Sequence, residues 1–93
     1  MREQRLEQRL RREIERRGGK ALKFTSPGWS GAQDRLVLLP DARVFFLEVK
    51  APGRSLSPLQ DYRRQQLQAL GFHVWVISTV TEMLTFLTEV DGR

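Results

Sequence analysis

Asp34, Glu48 and Lys50 are the residues whose types and spacing could do chemistry. Alternation from Val44 to Lys50 places Val44, Phe46, Glu48 and Lys50 on one face of a strand and Phe45, Leu47 and Val49 on the other. Glu48 and Lys50 thus project side by side from a strand otherwise apolar enough to be buried on both faces. In the preceding run Asp34 shares a face with Leu36 and Leu38. A turn at Pro40-Asp41-Ala42-Arg43 that closes an antiparallel hairpin sets the start of one strand beside the end of the other, and Asp34 beside Glu48 and Lys50. Two carboxylates that close resist ionising together unless a cation lies between them. Oxygen ligands of this kind suit Mg²⁺ or Mn²⁺, and Mg²⁺ keeps waters while taking one or two protein carboxylates. The chemistry implied is metal-assisted hydrolysis of a phosphodiester. Lys50 would orient or help deprotonate the attacking water, or offset charge building on phosphorus. A Glu-x-Lys pair alone is common in a charged chain; Asp34 across the hairpin is what gives it weight.

Positioning these three residues requires elements in the order αβββαβα. Leu6, Leu10 and Ile14 recur every four residues and predict a helix from about Arg2 to Arg17, ended by Gly18-Gly19. Glu3 and Glu7 fall on or beside that apolar stripe. An acid there is explained either by an i, i+4 partner such as Arg11 or by a carboxylate reaching from the helix to the site. Lys20 to Thr25 reads as a short strand on which Lys23 faces either the site or solvent. The loop Ser26-Pro27-Gly28-Trp29-Ser30-Gly31 lacks the spacing of a nucleotide-binding loop, so no nucleotide cofactor is expected. Trp29 in it is either a packing anchor or a base-stacking platform. Arg35 points away from Asp34 and reads as a structural ion-pairing residue.

Ser57-Pro58-Leu59-Gln60 has the N-cap, first-turn proline and third-position Gln of a capping box. The helix it opens should run to about Leu70 and stop at Gly71, with Leu59, Tyr62 or Arg63, Gln66, Leu67 and Leu70 as core positions. Arg63 and Arg64 are placed to contact phosphates, exposed surface charge being the ordinary alternative. Phe72 to Ser78 is a further strand, parallel to the Lys50 strand through a right-handed crossover. His73 is read as a plain strand residue. Thr79-Val80-Thr81-Glu82 opens a last helix to about Val90, with Val80, Met83, Leu84, Leu87 and Val90 as its core face.

Asp34 with Glu48-Val49-Lys50 resembles the PD-(D/E)XK nuclease motif. The strings Gly31-Ala32-Gln33-Asp34-Arg35 and Glu48-Val49-Lys50-Ala51-Pro52-Gly53 resemble its VRR-NUC (virus-type replication-repair nuclease) branch, in the short stand-alone form of phages and bacteria. The likeness runs from the first helix to the last. Gln33 stands where that family usually has Pro, a residue that shapes the turn and is not a ligand. The resemblance implies a restriction-endonuclease-like αβββαβα core, a small mixed sheet flanked by helices. It further implies a Mg²⁺-dependent deoxyribonuclease, Mn²⁺ substituting, with Asp34, Glu48, the Val49 carbonyl and Glu7 at the metal and Lys50 at the water. Glu7 matches the family's helical glutamate, Glu3 standing in reserve, and Gln60 matches a helical glutamine near the active-site lysine. Products with 5′-phosphate and 3′-hydroxyl ends follow from the same resemblance. Stand-alone members resemble Holliday junction resolvases, so branched DNA, a four-way junction above all, is the expected partner. A junction close to two-fold symmetric and cut in pairs needs two sites, hence a homodimer. The competing expectations are a nuclease for flaps, nicks or linear ends, and a non-catalytic DNA-binding module that keeps the fold.

Ninety-three residues predict a single domain spanning 1–93, with 40% apolar residues enough for a core. A net charge of +5 suits a polyanionic partner. Of the sixteen basic residues only three are lysines, and guanidinium favours bidentate phosphate contacts. The absence of cysteine excludes disulfides and thiolate metal sites and fits a reducing cytoplasm. No apolar run approaches a membrane span, and the Arg-rich N-terminus carries four glutamates and no apolar signal region, so a cytoplasmic location is expected.

Overall fold

The apolar runs either side of Pro40-Asp41-Ala42 form β2 (Arg35–Leu39) and β3 (Arg43–Val49), an antiparallel hairpin in which Leu39 faces Arg43 and Arg35 faces Leu47. Asp41 and Ala42 take φ of 67° and 60°, the left-handed conformation whose twist matches that of two paired strands. β1 (Lys20–Lys23) pairs antiparallel with β2, and β4 (His73–Ile77) pairs parallel with β3, giving a mixed sheet of order β1-β2-β3-β4. The structure, a computed structural model, describes residues 2–92. Within it the element order is αβββαβα, as the sequence patterning requires.

One face of the sheet carries the core. Val37, Leu39, Phe45, Leu47, Val49 and Ile77 meet Leu6, Leu10 and Ile14 of α1 (Arg2–Arg16) and Met83, Phe86, Leu87 and Val90 of α3 (Val80–Asp91) in one buried cluster. Each fully buried aliphatic or aromatic side chain contributes about 1.5–3 kcal/mol of transfer free energy. Phe86 is a correction to the periodicity reading, which assigned Leu84 and Val80 to the core. Phe86 is wholly buried and packs edge-on against Phe45 and Trp75 at 5.3 and 5.2 Å, while Leu84 and Val80 stay exposed. The helix is turned so that its wider aromatic fills the space over β3 and β4.

α2 (Pro58–Ala69) carries the crossover from β3 to β4 and adds only Leu67 to the buried set, outside that cluster. Leu59, Tyr62 and Leu70, expected as core, are 43%, 54% and 73% exposed. α2 therefore rests lightly on the sheet, and its outer stripe faces solvent. No helix among the described residues is long and apolar enough to cross a membrane.

Arg17 joins the ends of α1 and α3: its guanidinium donates to Glu13 at 2.8 Å and to Asp91 at 2.7 and 2.8 Å. Arg16 and Arg17 together pull the Glu13 carboxyl from 4.5 down to about 2. A carboxyl depressed on folding stabilises the fold above its unfolded value and loses that contribution as pH falls through the folded one. The urea midpoint is accordingly expected to fall between pH 4.5 and about 2, and to fall less steeply in Glu13→Gln, measured by circular dichroism.

Candidate functional site

Asp34 sits in the bend that enters β2, one residue before the Arg35–Leu47 pair, which sets it level with Glu48. Two backbone contacts fix it: its carbonyl accepts from the Phe24 N–H at 2.8 Å, and its own N–H donates to Glu48 Oε1 at 3.3 Å. The preceding loop is held against α2. Gly31 has φ +83°, and a Cβ there would lie 2.5 Å from Leu59 Cγ, so the close approach needs glycine on both counts. Gln33 is fully buried and its Nε2 donates to the Gln60 carbonyl at 3.1 Å. Ser57 and Gln60 close the capping box, with Gln60 Oε1 accepting from the Ser57 N–H at 3.0 Å and Ser57 Oγ from the Gln60 N–H at 3.1 Å. Gln60 thus caps α2 with its side chain and anchors Gln33 with its backbone.

Glu48 is 4% exposed, and Lys50 Nζ stands 3.5 Å from its Oε2. Burial raises the pKa of both carboxyls. The negative charge of Glu7 adds to the rise at Asp34, and that of Asp34 adds to it at Glu48. Lys50 opposes the rise at both, joined at Asp34 by Arg35 and Lys23. Asp34 Oδ1 is buried without a hydrogen-bond partner. An orphaned carboxylate oxygen, level with a second buried carboxylate that resists ionising beside it, is what a divalent cation would relieve. The donors present fit such an ion. Among the described residues no three His, Cys, Asp or Glu side chains converge. Mg²⁺ bound through one or two carboxylates and waters does not require three.

The structure brings Asp34, Glu48 and Lys50 together, with Val49 between the last two at the end of β3. Glu7 approaches from α1, close enough to act on Asp34, but its Oε1 accepts from Arg35 Nε and Nη2 at 3.1 and 2.8 Å. Arg11, its i+4 neighbour, instead holds Glu15. Lys23 ends β1 within the field of Asp34. Trp29 lies under the Arg63 guanidinium, 4.8 Å from its ring centre, and Arg63 Nε also donates to the Ser30 carbonyl at 2.9 Å. Arg64 holds Asp61 and Gln68. Both α2 arginines therefore have partners within the chain.

Gln33 is the residue whose part the sequence did not reveal. An amide next to an acid gives no sign that it will be buried, and its tie to Gln60 spans 27 positions. Gln33→Ala should cost about 2 kcal/mol, from the cavity and the lost hydrogen bond to the Gln60 carbonyl, read as a lower urea midpoint at unchanged slope.

No family model matches the chain. It is 43% identical over 79 residues, 85% of each chain, to the curated protein "Putative nuclease p44" of Acyrthosiphon pisum secondary endosymbiont phage 1. A solved structure described as a VRR_NUC domain superposes with a TM-score of 0.88 at 27% identity, covering 94% of this chain and 95% of that one. Fold and sequence agree with the motif: the chain belongs to the VRR-NUC family.

Proposed function

We propose that the protein is a divalent-metal-dependent DNA nuclease, with Asp34 and Glu48 as the carboxylates that hold the ion. The observation that carries this reading is the convergence of an acid from the bend that enters β2 with one from β3, an amine standing 3.5 Å from the second. The Val49 carbonyl would complete the set, and Glu7, held here by Arg35, would join it only by giving up that ion pair. A divalent ion there supplies Lewis-acid stabilisation of charge on the phosphate and lowers the pKa of a coordinated water. Lys50 orients the attacking water and offsets negative charge developing on phosphorus. Gln33, through Gln60, holds the Asp34 loop to α2 and so sets the depth of the site. Attack on phosphorus with departure of the 3′ oxygen leaves 5′-phosphate and 3′-hydroxyl ends.

The substrate proposed is branched DNA, above all a four-way junction, cut in the cytoplasm by a homodimer. The large side chains that α2 and its exit leave open, Tyr62, Leu70 and Phe72, support the pairing of two copies. Labelled junction, flap, single-stranded and duplex substrates in Mg²⁺ test this, with product ends read by ligation. Paired symmetric cuts in the junction are expected. Preferential cutting of flaps or linear ends would replace the junction reading, and no cutting of any substrate would leave a DNA-binding module.

A further inference from the structure

Arg5, Arg9 and Arg12 recur at i, i+4 and i+7 on α1, along one flank of the helix. None has a hydrogen-bond or ion-pair partner among the described residues, whereas Arg11, Arg16, Arg17, Arg35 and Arg64 each hold a carboxylate. The three border a groove of about 610 Å³ between α1 and the start of α3, lined also by Leu6, Pro52 and Val80. Pro52 lies two residues beyond Lys50, and the Lys50 N–H donates to the Ile77 carbonyl at 2.9 Å, just before the groove's α3 wall begins at Ser78. The groove thus opens at the strand ends from which Lys50 emerges. No acid lines it, and Glu82, the acid of the first turn of α3, is turned onto the Ser78 N–H and Oγ at 2.7 and 3.0 Å. The start of α3 is therefore already satisfied, and the arginines supply the attraction.

We infer that this groove holds the phosphodiester backbone of the DNA arm beyond the cleaved position, an inference that rests on the nuclease reading and extends its substrate contacts. Arg5 to Arg12 spans about 10 Å of helix axis, roughly the advance of three phosphates along one strand. Guanidinium forks match phosphate oxygens, and three unpaired forks in a row, in a groove that Pro52 borders just beyond the Lys50 strand end, suit a polyanion with evenly spaced charges. The backbone contact moves from Arg63 and Arg64, which are engaged within the chain, to the flank of α1.

The test is binding of the full-length protein to labelled duplex and single-stranded DNA of equal phosphate number, in EDTA so that nothing is cut, across a salt series. A variant carrying Arg5→Gln, Arg9→Gln and Arg12→Gln is compared with wild type and with Arg11→Gln, Arg16→Gln, Arg64→Gln, which removes equal charge elsewhere. Glutamine keeps helix propensity, so α1 persists in both. Each lost phosphate contact should reduce the log–log salt slope by about 0.9 on duplex and about 0.7 on single strands. Loss of three makes wild-type duplex affinity fall about 40-fold more than the groove variant's between roughly 50 and 200 mM salt. The control should keep the wild-type slope. A drop on duplex alone, or on single strand alone, supports the groove and names the arm it holds. Equal slopes for groove variant and wild type on both DNAs, or equal losses in the two triple variants, would overturn it while leaving the nuclease reading intact. Wild type that binds neither DNA and also leaves junction, flap, single-stranded and duplex substrates uncut in Mg²⁺ would instead overturn that reading.

Discussion

Asp34→Asn should slow DNA cleavage about a thousandfold and at the same time make the protein harder to melt. The loss follows from removing one of two carboxylates around the proposed ion: at about 4 kcal/mol of lost transition-state stabilisation, the rate falls roughly a thousandfold. The gain follows from the sign of the pKa shift. Asp34 is raised by burial and by Glu7, so the folded state binds its proton more readily than the unfolded chain does. Stability therefore falls as pH rises from the unfolded to the folded value of this group, and the penalty is fully present above the folded value. Asparagine has no charge to bury. A higher melting temperature than that of the wild type is expected in metal-free buffer by calorimetry. Glu48→Gln should behave alike, since an amide oxygen can still accept from the Asp34 N–H. A variant that cuts at the wild-type rate would remove Asp34 from the site. One that melts lower would show that the carboxylate is stabilising and the burial argument is wrong.

Lys50→Met keeps the aliphatic stem and removes the ammonium 3.5 Å from Glu48. Cleavage should fall by about two to three orders of magnitude, the usual loss when a donor aimed at developing charge is removed. The residual activity should also change its pH dependence. Lys50 lowers both carboxyls, so without it both rise further and the acid limb of the pH–rate profile moves to higher pH. A lysine that only tunes the two carboxyls would move that limb and leave the rate above it unchanged, so the profile separates the two roles.

Much of this arrangement was legible before any coordinates. Period-two alternation put Glu48 and Lys50 on one face, and the hairpin register followed from a turn of fixed length, so Asp34 had one place to go. Both helix starts were written in local cap chemistry, because a cap is satisfied within four residues. The rest depends on contacts distant in sequence. Glu7 has Arg11 available at i+4, yet it pairs with Arg35, which only the docking of α1 on the sheet brings near. The exposure of Leu59, Tyr62 and Leu70 reflects how little of α2 the sheet covers, and no periodicity encodes that. Gln33 is buried by the loop that Gly31 lets close over Leu59. The arginine groove exists only because the start of α3 lies beside α1.

The most direct measurement is anomalous scattering from crystals of the wild-type protein soaked in Mn²⁺. A manganese peak shared by the carboxylates of Asp34 and Glu48, and lost in Asp34→Asn, is the expected result. Manganese bound elsewhere with both carboxylates bare, or a peak unchanged in the variant, would contradict it.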